Sequence, residues 1–555
     1  MNRNAAGPVL GRQIRHELVS LMRTPLTMIL SVGFPLLFFI LLAALTGNAV
    51  VDERAGVRVV QFLAPGLASF GVLMATFSFL ASGLSEARAT GVLKRQTSTP
   101  LPRWALIGGR IGAAVLLGLI AVTLVLSVGV FFYDLQLPGR SLFAVAVNLL
   151  LSSFAFAALG IALALLLPTP AMVVAVANGF AIVLSFISGL FTASGSPPQW
   201  MDTAAWFFPL KHMATVFSDA LNPQLTGSGF QWDHLAVISL WGIGGAAASV
   251  WALRSGRERN PVSDPTSHVR ASAADAVPRR AGRPPLWVLF VGQIAHAQMV
   301  LWRDASSVFF AIVFPLLLVA IIPTINGGGD LDVGGGLLLG SFFAATMAIY
   351  GAAVTSFVNM PQNVSEERER GVLKRTRATP LPTGVLLAGR VVAALVVSLL
   401  TLFAIALLAM GMFSLPVPPG WPVGLLVFVV SATGFAIVGL AVASLVHSAQ
   451  AVLGVTLGTL LPLCFISDIF VIGVDLPDVL DAVSWFFPLR HASRAMTDSV
   501  STIAAPFPWD HLGVILAWAA VGVVVIAARF RSEKANHTRA AATARRRDST
   551  PATAG

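Results

Sequence analysis

One charged motif occurs twice in this chain and contains many of the polar residues that could do chemistry. Residues 85–110 read SEARATGVLKRQTSTPLPRWALIGGR, residues 365–390 read SEERERGVLKRTRATPLPTGVLLAGR, and 15 of the 26 aligned positions are identical. Both copies keep Gly-Val-Leu-Lys-Arg and Thr-Pro-Leu-Pro. Carboxylates and cations beside a rigid turn suit charge-assisted contacts with another protein. The motif therefore predicts two protein-contact surfaces.

Bond-breaking chemistry has little support in the sequence. No Gly-x-x-x-x-Gly-Lys-(Ser/Thr) motif occurs, and none of the four lysines follows a glycine. Without that phosphate cradle we expect no ATP hydrolysis by this chain itself. We find no metal-ligand spacing and no nucleophile motif, and the single cysteine, Cys464, lies in a predicted membrane span. It therefore supports neither a disulfide framework nor a metal site.

The elements that position the motif are membrane helices. The chain has 555 residues, of which 56% are hydrophobic and 11% charged, and its mean hydropathy is +0.82. These values indicate a polytopic membrane protein. Six spans are predicted in each half, from uncharged stretches and the Pro-rich or polar breaks within them. The stretches are 24–51, 59–85, 111–133, 141–201 (two spans), 234–253, 305–329, 333–365, 391–467 (three spans) and 511–528.

Basic residues predict the orientation. With both termini, both motif copies and the central linker on one side, that side carries 30 of the 36 Lys and Arg residues. The positive-inside rule makes it cytoplasmic. The net charge of +11 is explained by this asymmetry and gives no support for nucleic-acid binding.

Further duplicated segments indicate that a whole domain was copied in the same orientation. Phe-Pro-Leu-Leu, Trp-Phe-Phe-Pro-Leu and Trp-Asp-His-Leu each occur in both halves, 277 to 280 positions apart. Six spans per copy give a parallel repeat. We predict a first half over 1–253, a flexible cytoplasmic linker over 254–285, a second half over 286–530 and a basic disordered tail over 531–555. Each half begins with an interfacial helix.

The motif, placed between the second and third of six spans, resembles the cytoplasmic loop of ABC-2 type transporter permeases. The fused pair looks most like the actinobacterial drug- and polyketide-antibiotic exporters. The resemblance implies an all-α fold of 12 transmembrane helices in two type V exporter-like repeats. It also implies a coupling helix in each loop, docked on one of two separate P-loop ATPase subunits. ATP and Mg would be bound by those partners, and no cofactor by this chain.

The resemblance assigns the docking role to matched loop positions in both copies. These residues are Glu86, Gly91, Val92, Leu93, Lys94, Arg95, Thr99, Pro100, Glu366, Glu367, Glu369, Gly371, Val372, Leu373, Lys374, Arg375, Thr379 and Pro380. The family pattern has carboxylates just before the glycine. The first copy has Ala87 and Ala89 where the second has Glu367 and Glu369, which predicts unequal docking surfaces.

Aromatic segments on the opposite, external side form a second candidate site. A membrane-interface belt would account for their aromatic content. The family resemblance instead implies a short re-entrant helix that caps the exit side of the translocation path. The candidate residues are Trp206, Phe207, Pro209, Lys211, Trp485, Phe486, Pro488 and Arg490.

Asp468 is the one carboxylate predicted inside a span. An intramembrane acid is a functional candidate, here for contact with a cationic substrate. Its place near the external end also allows the carboxylate simply to reach water.

The expected function is a permease subunit, in a bacterial cell membrane, that exports hydrophobic or amphipathic drugs, polyketide-type antibiotics or lipids. The alternatives are an ion-coupled secondary multidrug transporter with 6+6 helices and a membrane-embedded enzyme or assembly scaffold.

Overall fold

The computed structural model describes most of the chain. The described ranges are 6–23, 28–52, 57–139, 142–190, 198–225, 227–254, 285–377, 381–470, 476–503 and 506–548. The described structure is almost entirely helical, as the sequence predicts, with one short antiparallel strand pair, β1 (Val50–Asp52) and β2 (Val57–Arg58). The fold class is therefore confirmed as an all-α polytopic membrane protein.

The described residues of the first half form ten helices. They are α1 (Ala6–Met22), α2 (Phe34–Leu45), α3 (Val60–Ala89), α4 (Val92–Thr97), α5 (Arg103–Tyr133), α6 (Leu142–Leu166), α7 (Pro170–Ile187), α8 (Gln199–Trp206), α9 (Pro209–Leu221) and α10 (Trp232–Arg254). A π-helical turn, Ile29–Gly33, precedes α2, and another, Met74–Phe79, lies within α3.

The described residues of the second half form ten equivalent helices in the same order. They are α11 (Leu286–Arg303), α12 (Ala305–Ile325), α13 (Leu339–Glu369), α14 (Val372–Arg377), α15 (Thr383–Phe413), α16 (Trp421–Leu445), α17 (Ala449–Ile466), α18 (Asp478–Phe486), α19 (Pro488–Val500) and α20 (Trp509–Asp548). The π-helical segments recur at Phe309–Val313 and Val354–Asn359.

The length and composition of the helices agree with the predicted spans. Eleven helices of the described chain are long and apolar enough to cross a membrane. A shorter apolar helix, Ser31–Ala44, occupies the position of the first predicted span and is the counterpart of α12. The predicted breaks are also confirmed, because α6 and α7 are separated by the Pro168-Thr169-Pro170 turn and α16 and α17 by a turn at residues 446–448.

One glycine in each half allows a close approach between two spans. A Cβ on Gly160 of α6 would lie 2.8 Å from the Phe77 carbonyl oxygen, in the π-helical part of α3. A Cβ on the equivalent Gly439 of α16 would lie 2.9 Å from the Ser356 carbonyl oxygen. Glycine is therefore required where the fourth span crosses the second, which leads directly to the charged motif.

The chain divides into two compact units. One comprises Met1–Pro285, Val300–Leu331 and Val471–Leu480, and the other comprises Leu286–Met299, Asp332–Phe470 and Asp481–Gly555. The units do not coincide with the repeat boundaries, because α12 packs within the first unit. There, Gly179 of α7 lies against the Phe309 ring, and Met201 shares an apolar cluster with Ile321 and Ile325.

The C-terminal tail differs from the prediction of disorder from residue 531. Helix α20 continues to Asp548. Ala, Arg, Lys and Glu are frequent in this tail, and their high helix propensities explain the continuation. Residues 255–284 of the predicted linker and 549–555 of the tail lie outside the described ranges.

Candidate coupling site

The charged motif forms a helical break followed by a short helix in both halves. Gly91 has φ 72° and Gly371 has φ 71°, in the left-handed region where a Cβ is strained. Helices α4 and α14 start at the next residue. Downstream, Pro102 and Pro382 are extended and precede α5 and α15. The predicted short helix is therefore present in each copy, with a glycine before it and a proline turn after it.

The short helices are amphipathic. In α4, Lys94 and Arg95 are exposed, whereas Val92 and Leu93 are half-buried, and Leu93 packs on the apolar cluster that includes Leu84. In α14, Arg375 is exposed, and Val372 and Leu373 are half-buried like their counterparts. The side chain of Lys374 lies outside the described structure, as do Thr379 and Pro380; Thr99 and Pro100 in the first copy are exposed.

An arginine that the motif analysis did not single out connects each copy to another helix. Arg88 donates from Nη1 to the Leu165 carbonyl at 3.3 Å and from Nη2 to the Leu167 carbonyl at 2.6 Å. Its equivalent, Arg368, donates to the carbonyls of Ala443 at 2.8 Å and Val446 at 2.6 Å. These carbonyls lie at the C-terminal ends of α6 and α16, where a helix leaves acceptors unpaired. The signal in the sequence was the identity of this arginine in both copies.

The extra carboxylates of the second copy have partners inside their own unit. Glu369 accepts from the backbone N–H of Ala449, at the start of α17, at 2.8 Å. Glu367 accepts from both terminal nitrogens, Nη1 and Nη2, of the buried Arg390. Ala87 and Ala89, their counterparts in the first copy, cannot make these contacts. Internal pairing therefore accounts for the extra carboxylates of the second copy.

The remaining carboxylates are peripheral. Glu366 forms an i,i+4 pair with Arg370 at 3.1 Å, and Glu86 is exposed. In the first half, the counterpart of Arg390 is Arg110, which lies 3.5 Å from Glu17 of α1 and donates to Gln96 Oε1 at 3.2 Å. In each half, an arginine near the start of the third span therefore pairs with a carboxylate of another helix. The partner is Glu17 of α1 in the first half and Glu367 of α13 in the second.

The aromatic segments form hairpins of two short helices, α8–α9 and α18–α19, at the opposite end of the spans from the motif. Trp206 and Phe207, and equally Trp485 and Phe486, are exposed at the turn, and Pro209 and Pro488 begin the second helix. Lys211 lies 3.0 Å from Asp202. This exposed pattern is compatible with both interpretations of the segments given above.

A histidine pair, not assigned a role from the sequence, connects each hairpin to the sixth span. His212 Nδ1 lies 2.8 Å from His234 Nδ1, and His491 Nδ1 lies 2.9 Å from His511 Nδ1. His212 Nε2 also contacts the Trp206 carbonyl at 2.8 Å. Because a carbonyl only accepts, Nε2 of His212 carries the hydrogen in this contact. The Trp-Asp-His-Leu repeat was the available signal.

Asp468 lies two residues beyond the end of α17, which corrects its predicted place inside a span. It has φ 54°, and its repeat counterpart is Gly189 with φ 74°. Its carboxylate lies 2.9 Å from the buried Arg490 and 2.7 Å from Arg494. Burial raises the pKa of Asp468, an effect partly offset by Arg494 and Arg490; burial also lowers the pKa of Arg490.

The charges around Asp468 are therefore balanced within the protein. Arg490 additionally donates to the Ile466 carbonyl at 2.8 Å and lies 3.3 Å from Asp481. This network of two aspartates and two arginines fixes the corner between α17 and α19. Among the residues that the structure describes, no group of three or more His, Cys, Asp or Glu side chains is arranged to hold a metal ion.

These features define a multi-pass membrane protein made of two equivalent helical repeats, each with a charged short helix between its second and third spans. The family model described as "ABC-2 type transporter" matches residues 12–221 and 288–500, and the chain belongs to this family. The inner membrane transport permease YadH of Escherichia coli (strain K12) is 25% identical over 181 residues, covering 33% of this chain and 70% of the relative. The Shigella flexneri protein of the same name gives the same values.

Proposed function

We propose that this chain supplies both membrane halves of an ABC exporter, with α4 and α14 as its two coupling helices. The observation that carries the proposal is their repetition. Each copy has a left-handed glycine, a short helix with an exposed arginine (Arg95 or Arg375) and an extended proline turn. An anchor on anionic lipid would need only the cations. The repeated glycine and proline geometry instead supports a docking surface of defined shape.

Two copies of a separate P-loop ATPase would bind these helices. ATP and Mg would be held by those subunits, and this chain would bind neither. Closure of the ATPases around ATP would move α4 and α14 and thereby reorient the helix bundles. The carboxylate differences between the copies are accounted for by internal pairing, so we expect both loops to dock.

The cargo would be hydrophobic or amphipathic, such as a drug, a polyketide-type antibiotic or a lipid. The 11 apolar helices of the described chain have at most two charged residues in their 18-residue windows. Polar cargo ordinarily requires polar partners at mid-membrane. The exporter direction and the drug class rest on the resemblance of the fused architecture to actinobacterial exporters.

In this proposal the chain spans a bacterial cell membrane with both termini and both coupling loops in the cytoplasm. The hairpins α8–α9 and α18–α19 would then lie on the external side, capping the exit. Asp468, paired with two arginines, would serve to hold its hairpin in place. Contact with a cationic cargo remains the alternative role of this carboxylate.

Affinity purification with an ABC ATPase encoded beside this chain tests the proposal. We expect two ATPase copies per chain, and capture reduced to background when residues 91–95 and 371–375 are both scrambled. Scrambling residues 542–546 of the tail, which carry two positive charges like each loop segment, is the control and should leave capture unchanged. Capture that survives the double loop scramble would contradict the assignment of α4 and α14.

A further inference from the structure

We propose that Arg88 and Arg368 are positioning residues that transmit movement of the coupling helices to the fourth and fifth spans. This inference rests on the proposed function. Each arginine lies three residues before the left-handed glycine that starts the short helix. Each donates two hydrogen bonds to carbonyls at the end of the fourth span, 75 to 79 residues away along the chain.

The two arginines hold matching acceptors. Arg88 and Arg368 both place Nη2 at 2.6 Å from a carbonyl just beyond the end of the helix, that of Leu167 or Val446. The second acceptor lies two or three residues earlier, at the last turn of α6 or α16. A planar guanidinium suits two carbonyls at a helix C-terminus because its charge also favours the negative end of the helix dipole.

The surrounding sequence changed between the copies while this contact was kept. Ala87, Ala89 and Thr90 of the first copy are replaced by Glu367, Glu369 and Arg370 in the second. The side chains of Arg88 and Arg368 are only partly buried. Water can satisfy helix-terminal carbonyls at such a surface. A need to satisfy the carbonyls therefore does not by itself explain the repeated contact.

The second copy has an additional contact on the other side of the turn between the fourth and fifth spans. Glu369, the neighbour of Arg368, accepts from the Ala449 N–H at the start of α17. The turn between the fourth and fifth spans is thus held at the C-terminus of one helix and at the N-terminus of the next. Both contacts match the helix dipoles in sign.

The mechanical consequence follows from the connectivity. The coupling helix is continuous in sequence only with the second and third spans. The arginine connects the same end of α3 or α13 to the hairpin of the fourth and fifth spans. Displacement of α4 or α14 would therefore move four spans together, instead of bending the second span alone.

The test uses the full-length chain with its ATPase in lipid nanodiscs. Cys464→Ala removes the only cysteine, and Thr203→Cys with Ala482→Cys places spin labels at two exposed, equivalent hairpin positions. Pulsed EPR then measures the distance between the labels with and without ATP, Mg and vanadate. We expect a shift in the parent chain and its loss in Arg88→Gln/Arg368→Gln, with ATPase capture and ATP hydrolysis retained.

Matched variants separate transmission from folding and docking. Arg370→Gln removes an exposed arginine two residues away and should keep the shift. Arg88→Lys/Arg368→Lys, which retains the charge but loses the two-pronged geometry, should show a reduced shift, and it substitutes for the glutamine variant if that variant unfolds. An undiminished shift in either folded variant would overturn the inference. Absence of ATPase capture by the parent chain would instead refute the proposed function itself.

Discussion

Arg390 and Glu367 form a buried ion pair that connects the start of the third span to the last turn of α13, just before α14. In the first half the equivalent arginine, Arg110, pairs with Glu17 of α1 instead. The positions equivalent to these two carboxylates are Ala87 and Ala297. The two halves therefore satisfy the same cation from different elements, so a carboxylate lost from one position is compensated at another.

Replacing Glu367 by alanine should strongly destabilise the second unit. Arg390 is 7% exposed, and removing one partner of a buried pair costs about 3–5 kcal/mol. Thermal unfolding of the purified protein in detergent measures the loss. Adding Ala297→Glu, which copies the position of Glu17, should restore part of it.

The control for this pair is Glu366→Ala, which removes two i,i+4 contacts, with Arg370 and Gln362, each worth about 0.5 kcal/mol or less. If Glu367→Ala and Glu366→Ala lowered stability equally, the buried pair would not have the role assigned to it.

Gly91→Ala and Gly371→Ala should each be destabilising by about 1–2 kcal/mol because alanine is strained in the left-handed region. A Cβ at either position meets no atom within 4 Å, so the cost arises from the backbone alone. Gly83→Ala provides a control of opposite sign. It lies within α3, also with no atom within 4 Å, and should stabilise by about 0.5–1 kcal/mol. If all three changes had the same effect on thermal unfolding, the left-handed conformation of Gly91 and Gly371 would not be the cause of the destabilisation.

His491→Ala should lower stability by about 1–3 kcal/mol, because it leaves the His511 ring and the Trp485 carbonyl without this partner. The change should also weaken attachment of α19 to the sixth span, which hydrogen exchange at the hairpin would detect. The exposed His447 serves as the control, and His447→Ala should stay within about 0.5 kcal/mol of the parent. No difference between the two alanine variants would refute this packing role.

The double change Asp468→Gly/Arg494→Thr should keep stability near that of the parent, because it copies the residues Gly189 and Thr215 of the first half. Arg490 would retain Asp481 as a counter-charge. Asp468→Ala alone should cost about 1–3 kcal/mol through strain and lost bonds to charged groups. Both proteins should export the amphipathic cation rhodamine 6G equally well per folded molecule. A selective loss of rhodamine 6G export in the double variant would show instead that Asp468 contacts cationic cargo.

Sequence patterns were informative where the cause of structure is local. Apolar stretches and proline-containing turns predicted the spans and the α6–α7 break, and the repeated loop motif indicated a short helix in each copy. These features depend on residues adjacent in sequence. The tail was predicted wrongly because its charge favoured disorder while its alanines and arginines favoured a helix.

The contacts that give the candidate site its geometry were harder to predict from the sequence. The hydrogen bonds from Arg88 reach backbone carbonyls 77 and 79 residues away. Because every residue has a backbone carbonyl, the sequence does not show which ones will accept. Glu367 and Glu369 were interpreted as docking groups because their internal partners, Arg390 and the Ala449 N–H, become visible only after folding. The repeat nevertheless contained a usable signal, since Arg88 is identical in both copies.

Transport by purified components in proteoliposomes tests the central claim most directly. This chain and its ATPase are reconstituted together, and rhodamine 6G movement is followed with either ATP or an imposed proton gradient as the energy source. We predict ATP-dependent export that is lost when the P-loop lysine of the ATPase is replaced, and no export by this chain alone under the gradient. Gradient-driven export of rhodamine 6G by this chain without the ATPase would contradict the account.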